Sequence, residues 1–221
     1  RINEGEMPDF SEDFKFLEEI SPERIQETIV RLCSTILPQN YRYNSFDDVQ
    51  VLSPMHNGAS GVRELNKELQ QSLNGHSRVC WQGSERKFLI GDKVMQTKNN
   101  YDKDVFNGDL GRVSGVERED GVLIVDFYGK RVEYAFEQLD ELTLAYAMTI
   151  HKSQGNEFKA VIVPVATSHY IMLQRNLMYT AVTRARELLI LVGEMKALAI
   201  AVRNDDVRER NTLLKKKLEN N

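Results

Sequence analysis

Two short runs concentrate the side chains of this chain that could hold a phosphorylated ligand. The first is Thr149-Ile150-His151-Lys152-Ser153-Gln154-Gly155-Asn156-Glu157-Phe158. It brings a hydroxyl, an imidazole, an ammonium and an amide within six residues, and each can donate to a phosphate oxygen. Gly155 lets the backbone turn or approach a ligand closely, and Glu157 could accept from ribose hydroxyls. The second run is Asn176-Leu177-Met178-Tyr179-Thr180-Ala181-Val182-Thr183-Arg184-Ala185-Arg186. Its two arginines close a helical pattern just before an apolar strand. An arginine at a domain edge can reach the γ-phosphate of a nucleotide held by a neighbouring domain and stabilise transition-state charge. Plainer roles stand beside both readings. The first run could be a polar loop with Glu157 capping a helix start. Cations near a helix C-terminus also simply favour the macrodipole.

The elements that must position these groups follow from periodicity. Phe14 and Phe16 alternate as a strand start. Ser21-Pro22-Glu23 predicts a helix N-terminus, with Ser as N-cap and Pro at the first position. Ile25, Ile29, Leu32 and Ile36 form one apolar stripe, which Pro38 is expected to stop. Val49–Leu52 reads as a buried strand, followed by a loop with Gly58 and Gly61. A second stripe, Val62, Leu65, Leu69 and Leu73, ends at Asn74-Gly75. This succession suggests a parallel sheet in an α/β layer. Between about Arg78 and Asp140 the texture changes to short segments punctuated by turns at Gly91-Asp92, Asn107-Gly108-Asp109, Gly115, Asp120-Gly121 and Gly129-Lys130. The segments Val94–Thr97, Gly111–Val116, Val122–Phe127 and Arg131–Tyr134 predict a small all-β barrel. Beyond Leu142 the α/β texture returns, with a strand at Val161–Val165, a helix over Leu173–Ala185 and a strand at Leu188–Val192. The charged tail from Arg203 reads as a solvated helix.

Composition narrows the function classes. The 221 residues, 41% of them hydrophobic, suffice for one large domain or a medium one with a small one. The two cysteines, Cys33 and Cys80, form no Cys-x-x-Cys pair, which argues against a disulfide framework or zinc knuckle and suits a reducing cytoplasm. His56, His76, His151 and His169 lie apart without metal-ligand spacing, so no metal site is expected in the chain itself. No apolar run approaches a membrane span, and Gly-x-Ser-x-Gly is absent. There is also no Gly-x-x-x-x-Gly-Lys-Ser/Thr phosphate loop. The loop at Gly58 and Gly61 has the right strand-to-helix context but lacks the lysine. The net charge of −4 weighs against an autonomous tight nucleic-acid binder. Arg1-Ile2-Asn3-Glu4 reads as a cut inside a longer protein.

Taken together, the two opening runs resemble motifs V and VI of superfamily 1 helicases. His151-Lys152-Ser153-Gln154-Gly155 with Tyr179-Thr180-Ala181-Val182-Thr183-Arg184-Ala185-Arg186 is similar to the RecD-like branch, which includes the alpha subunit of exodeoxyribonuclease V. Further stretches agree, in the family's order. Arg1 to Pro8 resembles the segment after motif III. Val51-Leu52-Ser53-Pro54-Met55 through Gly58-Ala59-Ser60-Gly61-Val62 and Leu65-Asn66 resembles the motif IV region. Gly91-Asp92-Lys93-Val94-Met95-Gln96, Asn99 and Phe106-Asn107-Gly108-Asp109-Leu110-Gly111 resemble the family's SH3-like insert.

The resemblance implies an α/β, RecA-like parallel-sheet domain, residues 1–76 and 142–221, interrupted by an SH3-like barrel at 77–141. It implies the C-terminal motor half of an ATP-dependent 5′-to-3′ DNA helicase, inactive as an ATPase without an N-terminal motor domain that supplies the phosphate loop and most of the Mg²⁺ coordination. Thr149, His151 and Lys152 would face the DNA backbone. Gln154, Gly155 and Glu157 would face ATP, and Arg184 would be the arginine finger. Arg186 has no assigned role. Tyr101, Phe106 and Tyr128 are candidate stacking residues on the insert, with Phe127 assigned to the core. Single-stranded DNA, the upstream motor domain and recombination or repair subunits are the implied partners. Where relatives often carry a cation, this chain has His56-Asn57, so no catalytic role is carried over there. Two alternatives stay open: a non-catalytic DNA- or protein-binding module, and the helicase segment of a conjugative relaxase.

Overall fold

The computed structural model describes residues 1–84 and 86–205. One sheet is five-stranded and parallel throughout. It comprises β1 (Phe14–Glu18), β2 (Val49–Ser53), β10 (Ala147–Thr149), β11 (Phe158–Val165) and β12 (Ala185–Gly193), in the spatial order β1-β12-β11-β2-β10. Side chains alternate across a strand, and the central strands are apolar on both faces. Val161, Val163, Leu189 and Leu191 pack with α3 (Arg175–Val182) and α4 (Met195–Arg203). Ala160, Ile162, Leu188, Ile190 and Val192 pack with α1 (Pro22–Arg31) and α2 (Val62–Asn74) on the opposite face. The result is a three-layer α/β/α unit of RecA-like type. Ser21 caps α1 as its sequence predicts, accepting from the Arg24 N–H at 3.3 Å. Ile25 and Ile29 are fully buried, each contributing about 1.5–3 kcal/mol of hydrophobic stabilisation.

Two element expectations are corrected. Pro38 does not stop the first helical stretch, because the chain continues after α1 as a π-type helix, Leu32–Tyr41, that runs through it. The widened turn accommodates a ring that has no N–H and would clash with an α-helical carbonyl. The expected helix over Leu173–Ala185 is shorter, since α3 covers only Arg175–Val182 and a 3₁₀ segment, Thr167–Met172, precedes it. Ala185 is already the first residue of β12, pairing with Phe158. The apolar stripe that looked continuous is a helix followed by a strand.

The insert is antiparallel. Strands β5 (Lys93–Gln96), β6 (Leu110–Glu117), β7 (Val122–Phe127), β8 (Lys130–Ala135) and β9 (Leu142–Leu144) form one sheet in the order β8-β7-β6-β5-β9. A separate hairpin joins β3 (Val79–Gln82) to β4 (Lys87–Leu89). The antiparallel sheet thus runs on to Leu144. Tyr134, Phe88, Leu123, Val125 and Leu142 fill its core, which Phe127 joins as expected. Met95 and Leu110 leave that core and pack into the motor domain, so the two sheets share apolar contact. The tail expected to be helical from Arg203 lies largely outside the described residues.

Candidate nucleotide and nucleic-acid interface

The segment between β10 and β11 has an unusual task. In a parallel sheet it must climb from the carboxyl end of one strand to the amino end of another, normally through a helix. Here eight residues suffice, because β10 and β11 flank the same strand, β2, and both are parallel to it. Thr149 is level with Ser53 at the carboxyl edge, and Ala160 is level with Val49 near the amino edge. Four strand steps separate those levels, roughly 13 Å. One side of the run therefore sits at one edge of the sheet and the other side at the opposite edge.

At the carboxyl edge Thr149 is 7% exposed. Its hydroxyl accepts from the Lys152 N–H at 3.4 Å and caps the 3₁₀ turn Ile150–Ser153. Ile150 is buried against α3, and the buried Ser153 hydroxyl donates to the Ile150 carbonyl at 2.7 Å. With these three residues held inward, His151 is exposed and Lys152 half-exposed. Gln154, Gly155 and Glu157 are exposed further along. Gly155 has φ 86°, a left-handed conformation that favours glycine, and open space where a Cβ would stand. Glu157 caps no helix; it immediately precedes β11.

Arg184 meets this segment at the amino edge. Its guanidinium donates to the Thr180 carbonyl at 3.2 Å, the Thr183 hydroxyl at 3.1 Å and the Asn156 carbonyl at 3.1 Å. Its own carbonyl accepts from the Phe158 N–H at 2.9 Å. The fold therefore brings Arg184 against Asn156, 28 residues away in sequence. Arg186, two residues on, is exposed.

Sequence reasoning missed a groove of about 630 Å³ beside the carboxyl edge. It is lined by His56 and Asn57, by Arg63, Glu64 and Lys67 of α2, and by Arg86 and Lys87 of the β3–β4 hairpin, with Lys67 paired to Glu64 at 3.7 Å. The i,i+4 spacing of Arg63 and Lys67 was a readable signal. Their convergence with the hairpin depends on tertiary packing. Arg86 is partly committed, donating to the Leu139 and Leu142 carbonyls at 2.8 Å each.

Three buried ionisable groups surround these surfaces. Asp92 is fully buried and accepts from Gln70, Asn74, Tyr146 and the Leu89 N–H. Burial nevertheless pushes its pKa up. Lys93, beside it in sequence, points elsewhere: its ammonium donates to the Val49 carbonyl at 3.2 Å and stands 5.8 Å from the centre of the Phe158 ring. Burial pushes its pKa down to about 8. His169 is 4% exposed, and burial lowers its pKa against the opposing charge of Glu194.

Comparison with known proteins bears on this arrangement. Residues 144–192 match the model of the UvrD-like helicase C-terminal domain. Residues 65–127 match that of the ATP-dependent RecD-like DNA helicase SH3 domain. The ATP-dependent RecD2 DNA helicase of Deinococcus radiodurans is 43% identical over 170 residues, 75% of this chain and 23% of that protein. The chain is a RecD-like superfamily 1 helicase domain with an SH3-like insert. The RecBCD enzyme subunit RecD of Mycolicibacterium smegmatis is 30% identical to this helicase domain over 213 residues, 94% of the chain and 37% of that protein. The helicase domain thus spans well under half the length of these relatives. Among solved structures, Bacteroides Pif1 helicase in complex with ADP-AlF3 and single-stranded DNA aligns over 92% of this chain and 54% of its own, at 18% identity and a TM-score of 0.52. Candida albicans Pif1 aligns over 92% and 60%, at 15% identity and a TM-score of 0.51. These two likenesses concern the fold. No helix among the described residues of the helicase domain is long and apolar enough to cross a membrane.

Proposed function

We propose that this helicase domain is the second motor half of an ATP-dependent DNA helicase and works against a RecA-like domain that carries the phosphate loop. The observation that carries the reading is the segment Thr149–Glu157. It links His151 and Lys152 at the carboxyl edge to the exposed Gln154, Gly155 and Glu157 in one continuous piece of backbone, and Arg184 is hydrogen-bonded to its far end.

The residues at the amino edge have chemistry suited to a nucleoside triphosphate. Arg184 rests on neutral acceptors. A γ-phosphate would replace them with charge-assisted bonds, which are shorter and about twice as strong. The open backbone at Gly155 and the exposed amide of Gln154 can approach phosphate or sugar oxygens, and the Glu157 carboxylate can accept from ribose hydroxyls. Among the described residues no cluster of three or more acidic, histidine or cysteine side chains could hold a metal ion. The family resemblance assigns Mg²⁺ mainly to the partner domain, and no step here runs through it. ATP bound to the partner domain would draw Arg184 across the cleft, and hydrolysis would release it.

At the carboxyl edge, His151 and Lys152, with Thr149 fixing their turn, would hold phosphates of single-stranded DNA without reading bases. The groove lined by His56, Lys67 and Lys87 would extend that surface towards the insert. Tyr101, Phe106 and Tyr128 are exposed on the insert and are candidates for stacking. The 5′-to-3′ sense, partner subunits of a recombination or repair complex, and a division at residues 76/77 and 141/142 are carried over from the family resemblance.

The test joins this domain to its phosphate-loop domain and compares Arg184→Ala with Lys152→Ala. Arg184→Ala is expected to lower DNA-stimulated ATP turnover roughly 10³-fold with DNA affinity preserved. Lys152→Ala should weaken DNA binding first. Normal turnover in Arg184→Ala would sink the finger role and favour a non-catalytic binding module.

A further inference from the structure

At the carboxyl edge of the parallel sheet a line of polar groups joins successive strand ends. Glu194, directly after β12, accepts from both the backbone N–H and the hydroxyl of Thr167 at 2.8 Å each, just past the end of β11. Two residues further on, Nε2 of His169 lies 3.0 Å from the Ser60 hydroxyl. The Ser60 carbonyl accepts from the Ser53 hydroxyl at 2.9 Å, at the end of β2. Ser53 is in turn the register partner of Thr149 on β10. His169 is the member of this line that spans from the α3/α4 side of the fold to the loop leading into α2.

That position is costly for a histidine. The side chain is 4% exposed and its Nδ1 has no hydrogen-bond partner among the described residues. An apolar residue of similar size would fill the space without an unpaired nitrogen. What the imidazole adds is its bond to Ser60. The loop that Ser60 belongs to closes on itself: Met55 N–H donates to the Ser53 hydroxyl at 3.3 Å, Gly61 N–H to the Gly58 carbonyl at 2.9 Å, and Val62 N–H to the Met55 carbonyl at 2.9 Å. Its attachments to the body of the domain include the hydroxyls of Ser53 and Ser60. The loop carries His56 and Asn57, which line the basic groove.

We propose that His169 is a positioning residue: through Ser60 it holds the Met55–Gly61 loop level with Thr149 and Lys152, so that the groove and the crossing segment present one surface to single-stranded DNA. The DNA part of this statement rests on the function proposed above. His169 itself touches no ligand.

The test uses the 221-residue chain. Amide exchange is followed at Gly61, Val62 and Arg63, and binding of a labelled oligothymidylate by fluorescence anisotropy. His169→Leu is expected to accelerate exchange at these amides roughly tenfold, the effect of losing one buried hydrogen bond, and to weaken oligothymidylate binding by a similar factor. His169→Gln, whose amide can stand near the former Nε2, should restore both. Ser60→Ala should match His169→Leu, and the double variant should be no worse than either single one, as expected of a shared interaction. Lys152→Ala, measured alongside, should lose binding with loop exchange unchanged. Unchanged loop exchange in His169→Leu would overturn the positioning role. So would accelerated exchange throughout the chain that Gln fails to rescue. Loop exchange that responds as expected while neither His169→Leu nor Lys152→Ala alters binding would overturn the nucleic-acid role of this edge instead.

Discussion

Lys93 shows how much a single side chain can hide. It directly follows the turn signal Gly91-Asp92, yet it is 7% exposed, with its ammonium on the Val49 carbonyl. Burial disfavours its charged form and lowers its pKa from 10.5 to about 8. Between those two values the unfolded chain binds more protons than the folded one. Its contribution to stability therefore rises with pH across that window, and the full penalty applies below about 8. Cys33, whose pKa burial raises from 9.0 to about 12, acts in the opposite sense above pH 9. The comparison of parent with variant isolates Lys93. Lys93→Met is expected to raise stability at pH 7 by about 1–2 kcal/mol, after the lost bond to Val49 is discounted, and to flatten the rise between pH 8 and 10. Urea unfolding at several pH values measures both. At this scale the sequence was informative for exposed groups and silent for buried ones. His151, Lys152, Gln154 and Glu157 were readable as a polar cluster because solvent-facing side chains keep their chemistry. The inward turn of Thr149, and the burial of Asp92, Lys93 and His169, depend on neighbours that are remote in sequence.

Among the elements, the crossing segment and the strand ends decide the geometry. A crossover normally requires a helix, but the β10–β2–β11 order lets a 3₁₀ turn and a short loop do the work. Strand ends at the carboxyl edge are packed tightly. Gly193 closes β12 with φ 149°, and a Cβ there would lie 1.9 Å from the Val165 carbonyl oxygen. Gly193→Ala is therefore expected to push β11 and β12 apart at their carboxyl ends and to cost about 2–3 kcal/mol, measured as a lower urea midpoint with an unchanged slope. Most elements were legible from periodicity: α1, α2, β2, β11, β12 and four strands of the insert. Several of those misread or missed share a physical cause. The π turn through Pro38, the early end of α3 and the three-residue strands β4, β9 and β10 are set by what packs or pairs with them, and local propensity does not record that.

For the whole molecule, charge is the informative quantity. The chain carries a net charge of −4, yet His56, Arg63, Lys67, Arg86 and Lys87 line one groove with Glu64 as its acidic member, and Lys152 is half-exposed. A locally basic path on an acidic body would give binding that is weak and steeply salt-dependent. In a salt titration with labelled oligothymidylate, Lys67→Ala and Lys87→Ala are each expected to reduce the slope of log affinity against log salt by about 0.7, the single-strand value per released counterion. Unchanged slopes would place the strand elsewhere. The insert is riveted to the motor domain at two levels. Asp92 accepts from Gln70 and Asn74 of α2, and Met95 and Leu110 enter the apolar core beneath α3. The sequence by itself determined the class of protein. Motif order, the apolar strands and the turn-rich insert are local patterns, and local patterns follow directly from side-chain period and turn chemistry. Only the tertiary structure decided that the polar run spans both edges of the sheet, that Arg184 rests on its Asn156 carbonyl and that basic side chains of α2 and the β3–β4 hairpin share one groove. Those are contacts between residues tens of positions apart. Strand order and register create them, and one chain's sequence does not display its strand order.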